Sequence, residues 1–278
     1  MTSRVGHGDR LVTADRNDRL GFSRRTLIGM AAVVGVGVGV PSPASAVPSP
    51  AGLGNPIRAV AFDAFTVFDR QPVNDAAEDV FPGSGAALTD AWSVRQFEYT
   101  WLRTLTRAYA DFWTVTQDAL DFAAQKTGLE LTAAARERLM ATWLELKAWP
   151  EAPAALRQLK GRGLRLAFLS DATAVMLDSW VENSGLRDVF DPHLSTDRVQ
   201  AFKPDPSAYQ MGVTAFGVPR AQIAFSAHGG WDAVGASVYG YRTFWVNRTH
   251  SPPERLTAAA EASGVDLNDL VAFIDQRQ

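Results

Sequence analysis

Short apolar runs alternate with segments of helical pattern from Pro150 to the C-terminus, and this alternation is the strongest constraint on the fold. Because strands that alternate with helices form parallel sheets with helices on both faces, the chain is predicted to be an α/β protein. A further strand is predicted at 57–62, where Ile-Arg-Ala-Val-Ala-Phe precedes Asp63. The later runs predict strands at 164–169, 193–196, 223–226 and 243–246, and helices at 152–160, up to about Asn183, near 205–216 and near 231–238.

A long helical segment at residues 72–147 interrupts this alternation after the first strand. Its apolar residues recur at helical spacing, which predicts faces that belong to the core. We therefore predict a Rossmann-like core with a parallel sheet, made of residues 47–71 and 148–278, and a helical cap at 72–147 inserted after the first strand. The two predicted apolar faces of the cap carry Phe97, Trp101 and Leu105, and Leu139, Trp143 and Leu146.

The first 46 residues have the pattern of an export signal. A polar, Arg-rich region precedes an apolar stretch at 27–40, which is too short to span a bilayer because a spanning helix needs about 20 apolar residues. Ala44-Ser45-Ala46 has the small-x-small pattern of a cleavage site, and Arg24-Arg25 resembles a twin-arginine signal. We expect the twin-arginine export machinery to deliver the protein to the periplasm or the cell exterior, with cleavage near Val47. The alternative is an anchor helix that stays in place.

Composition excludes several kinds of site. The chain contains no cysteine, which rules out disulfides, thiolate metal sites and cysteine nucleophiles. Its formal net charge of −3 argues against nucleic acid as the main partner. A histidine-rich zinc site is not predicted either, because the four histidines are scattered along the chain, at His7, His193, His228 and His250.

The residues just after the predicted strands include three acids, a serine and a lysine, namely Asp63, Ser170, Asp171, Lys203 and Asp232. Ligands of open parallel sheets bind outside the carboxyl ends of the strands, so these side chains are predicted to converge on one site. Asp63 is the candidate nucleophile, and Lys203 would offset repulsion among the carboxylates and hold Asp63 ionised. The alternatives are that Asp63 only caps the next turn and that Lys203 is a solvated surface residue.

Other residues near the strand ends also have structural alternatives. Asp232 could be the N-cap of the helix that follows it, and Ser170 could cap the helix after the second strand. Trp231 could wall a pocket. His228 is interpreted as a loop residue rather than as a base.

Four core segments carry a family pattern: Phe62-Asp63-Ala64-Phe65, Leu169-Ser170-Asp171, Lys203-Pro204-Asp205 with Tyr209, and Trp231-Asp232-Ala233-Val234-Gly235-Ala236. Within the cap, residues 96–103 read Gln-Phe-Glu-Tyr-Thr-Trp-Leu-Arg. The core segments resemble the haloacid dehalogenase (HAD) superfamily. The cap segment resembles one that occurs only in its type II (S)-2-haloacid dehalogenase family. The resemblance extends from about Ile57 to about Phe273.

The resemblance implies a hydrolytic dehalogenase that converts short-chain 2-haloalkanoic acids to 2-hydroxy acids through an aspartyl ester. Asp63 would attack the halogen-bearing carbon, and Lys203 and Asp232 would flank Asp63 and help to position water. No metal ion or organic cofactor is implied. A homodimer is implied, because dimers are usual among similar dehalogenases. The residues implied to bind the substrate are Thr66, Ser170, Asp171, Tyr209 and Trp231.

Two positions separate this chain from the phosphatases that it resembles within the superfamily. Those enzymes typically carry a second Asp two residues after the nucleophile, as a general acid near their Mg²⁺ site, and this chain has Phe65 there. Without that acid an alkoxide leaving group is harder to protonate, whereas halide leaves without a proton. Trp231 also stands where a second metal-binding acid is expected.

The chain departs from the type II pattern around the substrate. Ser93 replaces the Arg that usually follows the cap Trp and is thought to receive the halide, and Asp171 replaces the Asn of the second motif. If ionised, Asp171 would repel a carboxylate substrate. Ala227 and Gly229 stand where Ser and Asn are usual, and Thr66 matches its family counterpart only across a gap of one residue.

Three interpretations therefore stay open. The first is a dehalogenase with other anion donors, for which Arg70, Arg198 and His228 are candidates. The second is a hydrolase of the same superfamily that acts on another small substrate. The third is a catalytically degenerate binding protein on the same scaffold, because a fold alone does not fix function.

Overall fold

The computed structural model describes residues 56–191 and 193–278, so the predicted export signal at 1–46 lies outside the described residues. No helix within these two ranges is long and apolar enough to cross a bilayer. The strands are β1 (Ala59–Phe62), β2 (Arg165–Ser170), β3 (Leu194–Ser195), β4 (Ile223–Ala227), β5 (Arg242–Val246) and β6 (Ala262–Gly264). They pair in parallel, in the order β3-β2-β1-β4-β5-β6.

The helices occupy the connections between these strands. The predicted strands are all observed, with ends shifted by at most two residues. β3 is short because the chain enters a 3₁₀ turn at Thr196–Arg198.

The helices are α1 (Ala64–Val67), α2 (Gln71–Val80), α3 (Gly85–Thr106), α4 (Phe112–Thr127), α5 (Ala133–Thr142), α6 (Ala152–Gly161), α7 (Ala174–Asn183), α8 (Pro206–Phe216), α9 (Gly230–Tyr239) and α10 (Leu267–Asp275).

Helices cover both faces of the sheet, because side chains along a strand alternate between the faces. Val60 and Phe62 of β1 belong to one cluster of buried apolar side chains, together with α6, α7 and α10. Ala59 and Ala61 belong to a second cluster, together with α8 and α9. This arrangement confirms the predicted α/β fold with a parallel sheet.

The register of the sheet brings the carboxyl ends of its central strands to one edge. Phe62 at the end of β1 is opposite Phe168 of β2 and Ser226 of β4. β1 and β4 are buried along their whole length, as expected for a parallel sheet with both faces covered. The loops that carry the predicted site residues therefore leave the sheet side by side.

Four helices, α2 to α5, are inserted between α1 and α6. The two ends of the insertion meet, since Phe68 and Ala148 form an antiparallel bridge and the N–H of Asp69 donates to the carbonyl of Lys147 at 2.9 Å. The chain thus leaves and re-enters the core at one point. The predicted division into core and cap, with limits at 72 and 147, stays a prediction.

The prediction that Phe97, Trp101 and Leu105 form a core face is wrong. Leu105 is 79% exposed, and the two aromatic residues are only partly buried. The helix instead buries a mixed face, on which Gln96 donates from Nε2 to Thr116 Oγ1 at 2.6 Å. Hydrogen bonding makes such polar burial possible, and periodicity of apolar residues alone does not detect it. The buried face consists of Leu88, Trp92, Gln96 and Thr100, while the other predicted face, Leu139, Trp143 and Leu146, is buried as expected.

The sequence pattern did not predict β6 and α10 at the end of the chain. β6 is three residues long and contains no residue that favours strands, so its formation depends on pairing with β5. α10 had a readable signal, because Asp266 accepts hydrogen bonds from the N–H groups of Asn268 and Asp269 and so caps it. Its buried residues recur at helical spacing, as Leu267, Leu270, Val271 and Ile274.

Candidate active site

Asp63 lies at the carboxyl end of β1 and precedes α1. Its backbone N–H donates to the carbonyl of Ser226 at 2.9 Å, which holds it beside β4. Its Oδ1 accepts the N–H of Phe65 at 2.8 Å, so the side chain caps α1, as one of the alternatives proposed. Asp63 is only 7% exposed, and this cap leaves its Oδ2 atom available for a contact with another group.

Lys203 reaches the same edge of the sheet from the loop after β3. Its Nζ donates to Oδ2 of Asp63 at 2.5 Å and to Oδ2 of Asp232 at 2.8 Å. The lysine is fully buried, so the alternative of a solvated surface residue is wrong. A charge removed from water in this way requires close partners, because the desolvation penalty is several kcal/mol per ion. Asp63, Lys203 and Asp232 thus form one buried ionic cluster.

The cluster sets the protonation states of its members. Burial by itself would raise the pKa of Asp63, but attraction to Lys203 and hydrogen bonds from Lys203 and the Phe65 N–H together lower that pKa below its usual value. Burial would likewise lower the pKa of Lys203, but attraction to Asp232 and Asp63 raises it. Burial raises the pKa of Asp232 to about 6. At neutral pH Asp63 is therefore an ionised carboxylate, the state that a nucleophile requires.

Asp232 lies in the first turn of α9 and faces Lys203. Gly229 occupies the N-cap position of α9, so the interpretation of Asp232 as the N-cap is wrong. Tyr209 donates from its hydroxyl to Oδ1 of Asp232 at 2.7 Å. Gly235 permits this contact, since a Cβ at that position would lie 2.5 Å from the Tyr209 hydroxyl. Tyr209 is 1% exposed, so this hydrogen bond is buried and fixes the orientation of the Asp232 carboxylate.

Ser170 and Asp171 lie beside the cluster at the end of β2, and both are buried. Ser170 Oγ accepts the N–H of Ala172 at 3.2 Å, whereas Thr173 is the N-cap of α7, so the N-cap interpretation of Ser170 is wrong. Oδ1 of Asp171 accepts the backbone N–H of Lys203 at 3.0 Å, which joins the two loops. Burial raises the pKa of Asp171 to about 7, so both its protonated and its ionised form exist near neutral pH.

Thr66 and Trp231, also predicted to bind the substrate, make contacts within the protein. The Thr66 hydroxyl is fully buried and donates to the carbonyl of Asp63 at 2.7 Å, which fixes the turn that carries the carboxylate. The Trp231 ring centre lies 6.0 Å from Lys203 Nζ. Trp231 therefore shields the ammonium from solvent and packs against α3, with ring centres 5.4 Å from Phe97 and 5.5 Å from Trp101.

A cleft of about 690 Å³ lies near this cluster, although Asp63, Lys203 and Asp232 do not themselves line it. Arg70, Ser93 and His228 line it, and Arg70 and His228 are close enough to Asp63 for its charge to act on their pKa values. Arg198 does not line it and is exposed. The residues that were predicted to bind the substrate are not in the cleft lining, namely Thr66, Ser170, Asp171, Tyr209 and Trp231.

The sequence reasoning missed Arg248, which also lines the cleft. Its Nη2 donates to the carbonyl of Thr66 at 3.0 Å and to Oε1 of Glu151 at 2.6 Å. It thereby joins the turn after β1 to the residue before α6. A signal was available, because Arg248 follows β5 by two residues, in the same way that the other site residues follow their strands.

The residues around Asp63 do not fit a metal ion. Within residues 56–191 and 193–278, no group of three or more His, Cys, Asp or Glu side chains could hold one. The Lys203 ammonium already lies between the facing oxygens of Asp63 and Asp232, where a cation would have to bind. Mg²⁺ requires about six oxygen ligands, and apolar Phe65 and Trp231 stand at the two positions that would supply acids.

The parallel sheet, the inserted helices and the buried Asp63–Lys203–Asp232 cluster define a capped α/β hydrolase. The family model described as haloacid dehalogenase-like hydrolase matches residues 57–240. An (S)-2-haloacid dehalogenase of Pseudomonas sp. (strain YL) is 42% identical over 220 residues, which are 79% of this chain and 95% of that protein. The chain therefore belongs to the haloacid dehalogenase-like hydrolases, in the family of the (S)-2-haloacid dehalogenases.

Solved structures give the same result. The L-2-haloacid dehalogenase RSc1362 is 44% identical, with a TM-score of 0.78, over 80% of this chain and 100% of that one. The L-2-haloacid dehalogenase of Xanthobacter autotrophicus with chloropropionic acid covalently bound is 32% identical, with a TM-score of 0.73 and the same coverage. The second of these structures contains a covalent adduct on a similar scaffold.

Proposed function

We propose that this protein hydrolyses the carbon–halogen bond of short 2-haloalkanoic acids and releases 2-hydroxy acids, through an ester on Asp63. The observation that carries the proposal is the position of Asp63: its carboxylate is nearly buried and is held ionised by Lys203 at 2.5 Å. A desolvated, ionised carboxylate is a competent nucleophile toward carbon. The covalently bound chloropropionic acid in the similar Xanthobacter structure supports the same chemistry.

In the first step, a carboxylate oxygen of Asp63 attacks the halogen-bearing carbon from the side opposite the halogen. The new C–O bond forms as the C–halogen bond breaks, and the halide leaves with the bonding electrons. The configuration at that carbon inverts. No proton donor is needed, because halide leaves as a stable anion, and this suits a site where Phe65 replaces an acid.

In the second step, water attacks the ester carbonyl carbon, and the C–O bond to the aspartyl carbon breaks. One oxygen of Asp63 carries the alkyl group, and the other remains as the carbonyl oxygen. That carbonyl oxygen keeps its own donor, the Phe65 N–H at 2.8 Å on Oδ1 or the Lys203 ammonium at 2.5 Å on Oδ2, which can stabilise the negative charge that develops on it. Asp232 accepts the proton from water, since its pKa of about 6 makes it a base at neutral pH. Asp232 returns this proton to the oxygen that leaves as the ester C–O bond breaks, so the product departs as a hydroxy acid. The second proton of the water is lost to solvent, which restores the Asp63 carboxylate.

The proposal is tested with purified protein, (S)-2-chloropropionate, chloroacetate and fluoroacetate. Free halide is measured by ion chromatography, and the protein is quenched after brief exposure so that the mass of an ester on the peptide containing Asp63 can be determined. Halide release together with that ester supports the proposal. Hydrolysis of phosphate or other esters without halide release would favour another hydrolase, and tight binding without turnover would favour a degenerate binding protein.

Asp171 is expected to make the reaction sensitive to pH. Its ionised form would repel a carboxylate substrate, and burial places its pKa at about 7, so kcat/KM for (S)-2-chloropropionate is expected to fall up to about tenfold per unit above that pH. In Asp171→Asn this fall should disappear, and at about pH 8 the variant should exceed the wild type. Asp188→Asn, an exposed acid, is the control. An unchanged profile in Asp171→Asn would contradict the assignment.

We also propose export of the folded domain through the twin-arginine machinery and its assembly as a homodimer, as the sequence and the resemblance imply. Arg24→Lys with Arg25→Lys is expected to leave the protein in the cytoplasm, whereas Arg16→Lys with Arg19→Lys is the control pair. The exported protein should begin near Val47 on N-terminal sequencing. Its mass in sedimentation should be that of two chains if it is a homodimer. Export of the first variant at the wild-type level would refute the signal assignment.

A further inference from the structure

Among the described residues, the Arg70 side chain has no ion-pair or hydrogen-bond partner. It is partly buried, and its guanidinium lies 4.8 Å from the centre of the Phe65 ring. Of the arginines that are partly buried within 56–191 and 193–278, Arg70 alone has no carboxylate within 4.0 Å and makes no side-chain hydrogen bond. The others each have an ion pair, namely Arg95, Arg103, Arg136, Arg162, Arg242, Arg248 and Arg277. A desolvated charge left in this state favours binding of an anion.

The surroundings of Arg70 place this charge beside the nucleophile. Arg70 and His228 line the same cleft, and the Phe65 ring, two residues after Asp63, contacts both, with its centre 6.1 Å from the His228 ring. Nδ1 of His228 is buried and makes no hydrogen bond within the described parts of the chain. Burial and the neighbouring Arg70 lower the pKa of His228 to about 4, so at neutral pH the ring is neutral and carries one N–H donor.

Four acids also line the cleft, namely Asp69, Asp75, Glu78 and Asp90, and Asp69 is close enough to Arg70 for its charge to act on the arginine's pKa. Oδ1 of Asp69 accepts the N–H of Gln71 at 2.8 Å, Oδ1 of Asp75 accepts from Nε2 of Gln71 at 2.8 Å, and Glu78 accepts the N–H of Gly85 at 3.1 Å. They hold α2 and its junction with α3. Arg70 and Arg248 are the arginines of the cleft lining, and Arg248 is already paired with Glu151.

We propose that Arg70, with His228 as a second donor, receives the halide that leaves when Asp63 is alkylated. This inference rests on the proposed function. Ser93, which stands where the resemblance implies a halide-binding Arg, lines the same cleft, so positive charge is supplied from the N-cap position of α2 instead of from α3. A preorganised cation at the point where negative charge develops stabilises the transition state for C–halogen cleavage.

The test compares Arg70→Gln, Arg70→Lys and the control Arg198→Gln, an exposed arginine outside the cleft. With (S)-2-chloropropionate, Arg70→Gln is expected to lower kcat by about 10²–10³-fold with little change in KM, and to weaken inhibition by bromide at least about tenfold. Arg70→Lys should retain part of both. Ser93→Arg in the Arg70→Gln background should restore kcat, because both positions face one cleft. Arg198→Gln should resemble the wild type.

Two results would overturn the inference. One is a raised KM in Arg70→Gln with unchanged bromide inhibition, which would mean that Arg70 binds the substrate carboxylate. The other is wild-type kcat and wild-type bromide inhibition in Arg70→Gln. Anomalous scattering from bromide in crystals of Asp63→Asn locates the anion independently of turnover. If the wild type releases no halide but bromide lies against Arg70, the proposed function fails while the anion site stands.

Discussion

Replacing Asp63 with asparagine is expected to lower halide release from (S)-2-chloropropionate by about 10⁴-fold or more, as loss of a covalent nucleophile does in other hydrolases. The amide oxygen is a poor nucleophile, so no ester should form. The fold should be retained, because the Asn side chain can still accept the Phe65 N–H and asparagine caps helices as well as aspartate. Lys203 keeps its bond to Asp232.

A matched control separates loss of the nucleophile from loss of a cap. Asp111 caps α4 by accepting the N–H of Thr114 at 2.7 Å, and it is exposed and outside the site. Asp111→Asn should therefore show wild-type halide release and a similar thermal midpoint. Mass spectrometry after brief substrate exposure should find the ester in the wild type and in Asp111→Asn only. Turnover of (S)-2-chloropropionate by Asp63→Asn at the wild-type rate would rule out the covalent mechanism.

Replacing Lys203 with methionine is expected to destabilise the fold by about 3–5 kcal/mol at neutral pH and to abolish activity. Methionine fills a similar volume but leaves the carboxylates of Asp63 and Asp232 buried without their shared cation, and a broken buried ion pair has this cost. Denaturant unfolding measures the free energy of unfolding. Lys126→Met, at an exposed lysine of α4, should change it by less than about 0.5 kcal/mol.

The pH dependence identifies the cause of that destabilisation. In the wild type the lowered pKa of Asp63 contributes stability above the pKa of the unfolded chain, and this contribution is lost as pH falls through the folded pKa. Without Lys203, burial and repulsion raise the pKa of Asp63, so the variant loses stability as pH rises instead. The difference in the free energy of unfolding between the wild type and Lys203→Met should therefore be largest at neutral pH and smaller in acid. A difference independent of pH would indicate lost packing.

The convergence of Asp63, Lys203 and Asp232 could be predicted from the sequence. Asp63 directly follows β1, Lys203 lies in the loop after β3, and Asp232 lies in the first turn of the helix after β4. The carboxyl ends of parallel strands share an edge. The pattern could not show what each side chain contacts there. Tyr209 and Thr66 carry hydroxyl groups that suit substrate binding, but packing directs them to Asp232 and to the backbone of Asp63. Such choices depend on distances that only the folded chain sets.

The inserted helices were the least predictable part. α3 has apolar residues on more than one face, and periodicity selected the face of Leu105, which is 79% exposed. The buried face includes Gln96, whose burial depends on Thr116 of another helix. Arg70 was one of three candidate anion donors in the sequence, with Arg198 and His228, and the sequence could not choose among them because it does not show which of them lines the cleft. The resemblance showed that the usual arginine was missing at Ser93, but it did not favour any one of the three candidates.

The nucleophile and the ammonium that neutralises it are 140 positions apart along the chain. No fragment that lacks either segment, and no chain with an incomplete sheet, can assemble the pair. A rapid pulse of substrate followed by acid quenching would therefore label native molecules alone. Where the ester forms faster than water removes it, the amount of ester per mole of chain gives the active fraction of a preparation. Any kinetic comparison among variants requires this calibration.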